Sequence, residues 1–139
     1  MKTHMIIAID GPSGAGKTTY AKQLAHELGE PHNAAILHID DYYDCSAGRL
    51  KTEAVVAAFH ALKSQGKPVI VEGVYSLTFG FPYDRKIFMT VRPEEQLKRI
   101  KARSPDLYDK YVSKWIPAEN KYFQEGQIAA KCDLVISND

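Results

Sequence analysis

A chain of 139 residues is the length of one domain and can bury a core without disulfide or metal staples. Its 18 Lys+Arg against 17 Asp+Glu leave a formal net charge of +1, which argues against a dedicated nucleic-acid binder and against an acidic disordered tail. No apolar run approaches the roughly 18 residues of a membrane span. Met1 to Asp10 lacks the pattern of a signal peptide, and Cys45 and Cys132 form no disulfide framework, so the expected home is the reducing cytoplasm.

The predicted elements alternate between strand and helix. Met5 to Asp10 is an almost continuous apolar run, as suits a strand buried on both faces of a parallel sheet. A Gly/Pro/Ser-rich turn, Gly11 to Gly16, leads into a helix from Lys17 to about Leu28, with Tyr20, Leu24 and Leu28 on one face and Gly29 and Pro31 as its stop. Ala34 to Ile39 reads as a second strand, followed by the acidic, aromatic cluster Asp40-Asp41-Tyr42-Tyr43-Asp44 and a plain turn at Cys45 to Gly48. Thr52 is placed to cap a helix to about Gln65, ahead of a third strand at Val69 to Glu72 and Gly73. Lys86 to Val91 forms a fourth strand, and Pro93, Glu94 and Glu95 open the next helix, which runs to about Arg103. Ser104 to Gln127 looks helical but broken at Pro117, and Cys132 to Ile136 is a fifth strand. Such alternation implies an α/β domain with a parallel sheet and right-handed crossovers.

Gly11-Pro12-Ser13-Gly14-Ala15-Gly16-Lys17-Thr18 fits G-x-x-x-x-G-K-S/T at every fixed position, between a predicted strand and a predicted helix. The glycines let successive N–H groups turn toward phosphate oxygens, and the helix N-terminus adds its positive dipole end. In this P-loop, Lys17 would reach the β- and γ-phosphates and Thr18 would bind Mg²⁺. The expected architecture is a three-layer α/β/α sandwich of the P-loop NTPase type, a single domain over residues 1–139 with five parallel strands and a short helical lid at about 99–127. A GTPase would need Asn-Lys-x-Asp, but Asn120-Lys121 continues Tyr122-Phe123; a large AAA or ABC module would need far more chain. What remains are compact ATP-dependent kinases of small molecules.

The stretch Ile7 to Thr19 resembles the opening of the uridine kinase family, relatives of phosphoribulokinase and bacterial pantothenate kinase. Asp40-Asp41-Tyr42-Tyr43 is similar to that family's Asp-x-Phe-Tyr segment, Val69 to Gly73 to its third strand ending in Glu-Gly, and Asp84 to Phe88 to its fourth strand and lid entry. The resemblance implies that Asp40 sits at a strand end near the acceptor hydroxyl and the metal, where a carboxylate orients the hydroxyl and accepts its proton. It implies Mg²⁺ held by Thr18, Asp40 and Glu72, and lid arginines at Arg99 and Arg103 for the transferring phosphoryl group. The residues from Gly11 to Thr18, with Thr19, would hold ATP, and Asn138 would reach the base or its neighbouring backbone. Tyr43 and Tyr75 are candidates for the acceptor pocket; Tyr42 and Trp115 read rather as core or lid packing. His38 reads as a packed strand residue, and none of the five histidines shows metal-ligand spacing.

Two departures bear on the acceptor. Few residues separate the acidic cluster from the next helix, so the hairpin that grips a base in larger relatives reads as missing, and Tyr42 replaces Phe. The reading is therefore a kinase moving the γ-phosphoryl of ATP to a hydroxyl of a nucleoside-like metabolite, with a small molecule as partner and neither nucleic acid nor membrane. Two alternatives stand beside it. One is an ATP-binding regulatory protein or ATPase without a dedicated acceptor. The other is a nucleoside monophosphate kinase, which needs arginines for the acceptor phosphate; before Arg85 the chain offers only Arg49. The net charge is a cancellation: residues 1–84 carry 7 basic and 9 acidic side chains (−2), residues 85–121 carry 10 and 5 (+5), and residues 122–139 carry 1 and 3 (−2).

Overall fold

Ile6–Asp10, every residue of it buried, forms β1 at the centre of the fold in a computed structural model that describes residues 5–28 and 34–139. The chain continues through α1 (Lys17–Leu28), β2 (Ala35–His38), β3 (Tyr43–Asp44), β4 (Arg49–Leu50), α2 (Thr52–Lys63), β5 (Val69–Glu72), β6 (Arg85–Thr90) and α3 (Pro93–Arg103). It closes with α4 (Tyr108–Lys110), α5 (Ile116–Glu125) and β7 (Leu134–Ser137). The main sheet is five-stranded and parallel in the order β2-β5-β1-β6-β7. The central strands β1 and β5 are short Ile/Val-rich runs closed by a carboxylate and buried throughout, which is why they read as continuous apolar stretches, whereas β7 at the sheet edge is largely exposed.

The pleat divides the core into two layers. Ile7 and Ile9 of β1 join Ile70, Ile87 and Met89 and pack under Ala21 and Ala25 of α1. Ile6, with Leu37, Val69 and Val71, faces the other way against Val55 and Phe59 of α2. Phe88 of β6 meets Phe123 of α5 edge to face at 5.2 Å. The expected α/β/α sandwich is therefore present.

Several local expectations change. Gly29 and Pro31, read as the stop of α1, lie outside the described residues. Thr52 is the first residue of α2 rather than its cap; Lys51 holds the cap position and makes no side-chain capping bond. The fifth strand is displaced to Leu134–Ser137. Cys45 to Gly48 is not a plain turn but the tip of a two-stranded antiparallel hairpin, Tyr43 opposite Leu50 and Asp44 opposite Arg49. Its tip is tied by Asp44 Oδ1, which accepts from the N–H groups of Ser46 and Ala47. Pro117 does not break the helix. Residues Tyr111–Trp115 form one π-helical turn and α5 continues directly, with Pro117 in its first turn. Proline has no N–H for the carbonyl four residues back and its ring crowds that carbonyl, and the wider turn just before it accommodates both.

Candidate active site

The glycine-rich loop joins the end of β1 to the start of α1. Gly11, Gly14 and Gly16 have φ of +144°, +83° and +85°, backbone that favours glycine. A side chain at Gly11 would run into the Met89 carbonyl, and one at Gly16 into the Asn138 amide. Three successive loop carbonyls are taken from outside: Ser13 O by Gln96 Nε2 at 2.9 Å, Gly14 O by Arg99 Nη1 at 3.0 Å, and Ala15 O by Asn138 Nδ2 at 2.9 Å. Fixing these carbonyls outward turns the intervening N–H groups inward, the arrangement that binds an oxyanion.

An oxyanion of the protein's own already uses part of that cradle. Glu119 of α5, only 6% exposed, accepts from Ser13 N–H at 2.9 Å through Oε1 and from Ser13 Oγ–H at 2.7 Å through Oε2. Burial pushes its carboxyl above the usual range, and the two bonds from Ser13 and the charge of Lys17 pull the other way. Lys17 is itself buried at 7% exposure, and its Nζ donates to Pro12 O at 2.8 Å. Burial lowers its pKa, against the opposing field of Asp40, Glu119, Asp10 and Glu72. The loop is anchored from below by Asp10, fully buried at the end of β1. Its Oδ1 accepts from the N–H groups of Gly11 (2.8 Å) and Tyr75 (3.2 Å), and its Oδ2 from Leu77 N–H (3.2 Å) and the Tyr122 hydroxyl (2.6 Å). Burial raises the Asp10 carboxyl against those same bonds. Tyr75 is held by this contact at φ +78°, a left-handed conformation that costs a non-glycine residue energy.

Beside the loop, Thr18 Oγ1 donates to Glu72 Oε2 at 3.0 Å. Glu72, the last residue of β5 and 3% exposed, also pairs through Oε2 with His38 Nδ1 at 2.6 Å. His38 is therefore not a plain packed residue; it ends β2 in register with Glu72. Among the described residues no group of three or more His, Cys, Asp and Glu stands close enough to hold a metal by itself. A hydroxyl and one carboxylate beside an oxyanion-binding loop are what magnesium takes when phosphate oxygens and water complete its shell. Thr18 and Glu72 thus fit Mg²⁺ together, and the loop that already holds the Glu119 carboxylate fits a phosphate.

A cavity of about 550 Å³ opens from Ser13 and Glu119 and is walled by Asp40, Tyr43, Tyr75 and Trp115. Asp40 lies exposed in the 3-10 turn Ile39–Tyr42 that follows β2. Trp115 stands edge-on to Tyr43 and to Tyr111, with centroids 6.2 and 4.7 Å apart, and its buried Nε1 has no hydrogen-bond partner. Arg49 and Lys114 line the same cavity. A second hollow of about 160 Å³ lies between Gly16, Thr19, Tyr20 and Asn138, on the other side of the loop's end.

The candidate residues thus separate into groups. Gly11 to Thr18 form the loop; Thr19 and Asn138 flank it; Asp40, Tyr43 and Tyr75 share the large cavity, with the Asp40 charge felt at Lys17; Thr18 and Glu72 touch. The two arginines divide. Arg99 is tied to the loop and to Glu95 at 3.7 Å, whereas Arg103 is exposed, its guanidinium 5.9 Å from the centre of the Tyr111 ring. Trp115, read as packing, lines the large cavity. Glu119, His38 and Gln96 carry no local motif. Only their distant partners, 106, 34 and 83 residues away, reveal them.

Comparison with protein families matches residues 7–123 to the AAA domain family. The length argument against AAA proteins therefore holds for large modules only. A protein of Pyrococcus furiosus described as "Putative adenylate kinase" is 31% identical over 106 residues, 71% of this chain and 56% of the relative, so the chain spans just over half of that relative's length. A cytidylate kinase of Oleidesulfovibrio alaskensis is 55% identical over 29 residues, 21% of this chain and 13% of that protein. In three dimensions the chain is similar to "Structure of a Possible Uridine Kinase from Bacillus stearothermophilus", with a TM-score of 0.64 at 18% identity over 98% of this chain and 90% of that one. It is also similar to shikimate kinase from Bacteroides thetaiotaomicron, with a TM-score of 0.57 at 18% identity over 96% and 86%. At such identities the two structures speak for the fold alone, the three-layer α/β/α sandwich with its glycine-rich loop after β1. On the match over most of its length, the chain belongs to the AAA domain family.

Proposed function

We propose that this chain is an ATP-dependent small-molecule kinase, uridine kinase-like in plan, that moves the γ-phosphoryl group of ATP to a hydroxyl of a nucleoside-like acceptor. The observation that carries the reading is the 550 Å³ cavity, which has Ser13 of the phosphate loop at one end and the Asp40 carboxylate on its wall. An acceptor hydroxyl held there lies between a phosphate site and a base. The loop from Gly11 to Thr18 would hold the triphosphate, with Asn138 and Thr19 on the base side. Thr18 and Glu72 would hold Mg²⁺, which when bound neutralises phosphate charge. Lys17 has to leave the Pro12 carbonyl to reach the phosphates, and Arg99 and Arg103 approach from the lid over about 99–127. Asp40 orients the acceptor hydroxyl and takes its proton as the oxygen bonds to phosphorus and the bond to ADP breaks. The aromatic wall of Tyr43, Tyr75 and Trp115 suits a planar base or a sugar face.

The test is conversion of ATP to ADP with Mg²⁺ over a panel of nucleosides, nucleoside monophosphates and simple alcohols. One or more acceptors should raise turnover above basal hydrolysis. Asp40→Asn should lower acceptor phosphorylation by about 10²-fold or more while ATP still binds. A panel in which no acceptor does so, with basal hydrolysis indifferent to Asp40→Asn, supports instead an ATPase without an acceptor.

A specific observation favours a second reading, a nucleoside monophosphate as acceptor. Arg49 from the β3–β4 hairpin and Lys114 from the π-turn line the same cavity, supplying two cations for an acceptor phosphate. The named kinase relatives point the same way. In this case Arg49→Ala should raise the KM for a monophosphate acceptor about 10-fold and leave that for the matching nucleoside unchanged.

A further inference from the structure

We propose that His38 is a positioning residue that holds the Glu72 carboxylate for the divalent cation accompanying the nucleotide; this rests on the assignment of Thr18 and Glu72 to that cation. Strands β2 and β5 run parallel in register, His38 opposite Glu72, so both side chains leave the sheet at the same level. Glu72 follows Val69, Ile70 and Val71 and is 3% exposed, a place where a carboxylate is costly unless it is hydrogen-bonded. Both protein donors meet one oxygen: His38 Nδ1–H at 2.6 Å and Thr18 Oγ1–H at 3.0 Å converge on Oε2. Oε1 accepts no bond from the described residues. Two donors on one oxygen fix the rotation of the carboxylate and leave the other oxygen for the cation or a water bound to it. Thr18 alone cannot do this, because its hydroxyl sits at the helix start and is itself a proposed ligand. His38 reaches Glu72 from a separate strand and touches no proposed phosphate site. Donors behind a metal-binding group commonly change metal affinity by about 10–100-fold when removed.

The experiment is a Mg²⁺ titration of ATP binding, followed by calorimetry and by the fluorescence of Trp115, the only tryptophan. His38→Ala should leave metal-free ATP affinity within about twofold and raise the Mg²⁺ midpoint about 10-fold or more. His38→Asn keeps an N–H donor close to the position of Nδ1 and should restore most of the loss; His38→Leu should not. If the alanine variant does not fold, the asparagine and leucine variants carry the comparison. Equal Mg²⁺ midpoints for the wild type and the donor-free variants overturn the proposal, as does a loss of metal-free ATP binding equal to the loss with metal, the mark of a structural role. Acceptor turnover enters none of these measurements. A kinase reading that fails for want of an acceptor leaves this result standing, and a wild-type chain whose ATP binding ignores Mg²⁺ overturns the positioning role while acceptor phosphorylation is judged separately.

Discussion

Lys17 is a cation placed where water scarcely reaches, bonded to the carbonyl of Pro12 in its own loop. Burial lowers its pKa from the ordinary 10.5 despite four nearby carboxylates, so the folded chain without nucleotide bears a cost for keeping the charge. For a lysine with a lowered folded pKa, the cost is full below the folded value and fades as pH rises toward 10.5. Lys17→Met should therefore abolish ATP binding yet stabilise the nucleotide-free chain at neutral pH by about 1 kcal/mol, or roughly 3–5 °C in Tm. The gain should shrink toward about pH 10. Calorimetric melts across pH with and without ATP check both halves, and a variant that binds ATP tightly refutes the loop assignment. Glu119 shows the opposite charge under the same pressure. Its folded pKa is raised above 4.5, so its contribution to stability is greatest below that value and declines as pH rises through the folded one. Glu119→Gln keeps an acceptor for the Ser13 N–H, and its amide NH2 can donate to Ser13 Oγ where the carboxylate accepted, without the charge. It should be at least as stable as the parent at pH 7, lose that advantage near pH 4, and bind ATP about 3–10-fold more tightly, because like charge no longer faces the triphosphate.

At the scale of elements, α5 is bonded both to the glycine-rich loop and to the Asp10 that anchors it. It enters through the π-turn of Tyr111–Trp115, made by Pro117, and leaves at Gln127, whose φ is +47°. Between these two irregular ends, Glu119 binds Ser13 and Tyr122 binds Asp10. Removing the first tie with Glu119→Ala should speed amide exchange across Ile116–Glu125 about 10-fold without changing exchange in β1 or β5, as the loss of bonds worth about 1–3 kcal/mol implies. Uniform acceleration through the sheet would show that Glu119 supports the whole fold instead. The predicted break at Pro117 was wrong for a physical reason. A proline removes one donor and crowds one carbonyl, and whether a helix ends or widens depends on what packs around it; here Trp115 against Tyr43 before the proline, and Glu119 on Ser13 and Phe123 on Phe88 after it, hold the two segments in place. The β3–β4 hairpin leaves no mark in the sequence pattern for a related reason, since two-residue strands carry no periodicity.

At the scale of the molecule, charge is distributed rather than absent. The excess of basic residues falls on residues 85–121, which include Arg99 and Arg103 and the cavity-lining Lys114, while Asp10, Asp40 and Glu72 lie in the acidic part before residue 85. Nucleotide capture by such a basic segment should weaken with salt: raising ionic strength from about 0.05 to 0.5 M should increase the Kd for ATP several-fold, measured at fixed free Mg²⁺. A Kd unchanged by salt would deny the segment an electrostatic part in capture.

The amino-acid sequence by itself determined the alternation of strands and helices, the buried parallel sheet and the phosphate loop. These rest on interactions between near neighbours: an apolar run buries wherever the sheet forms, and glycines at Gly11, Gly14 and Gly16 permit a backbone that other residues resist. It also marked Glu72, which closes an apolar run, whereas Asp40 stood out through the resemblance of Asp40-Asp41-Tyr42-Tyr43 to the uridine kinase family's segment. Only the tertiary structure decided which groups meet there. The order β2-β5-β1-β6-β7 sets His38 beside Glu72 and brings Gln96, Arg99, Asn138 and Glu119 around a loop far from them in the chain. Such meetings follow from how layers stack and strands register, and no local pattern of residues encodes them.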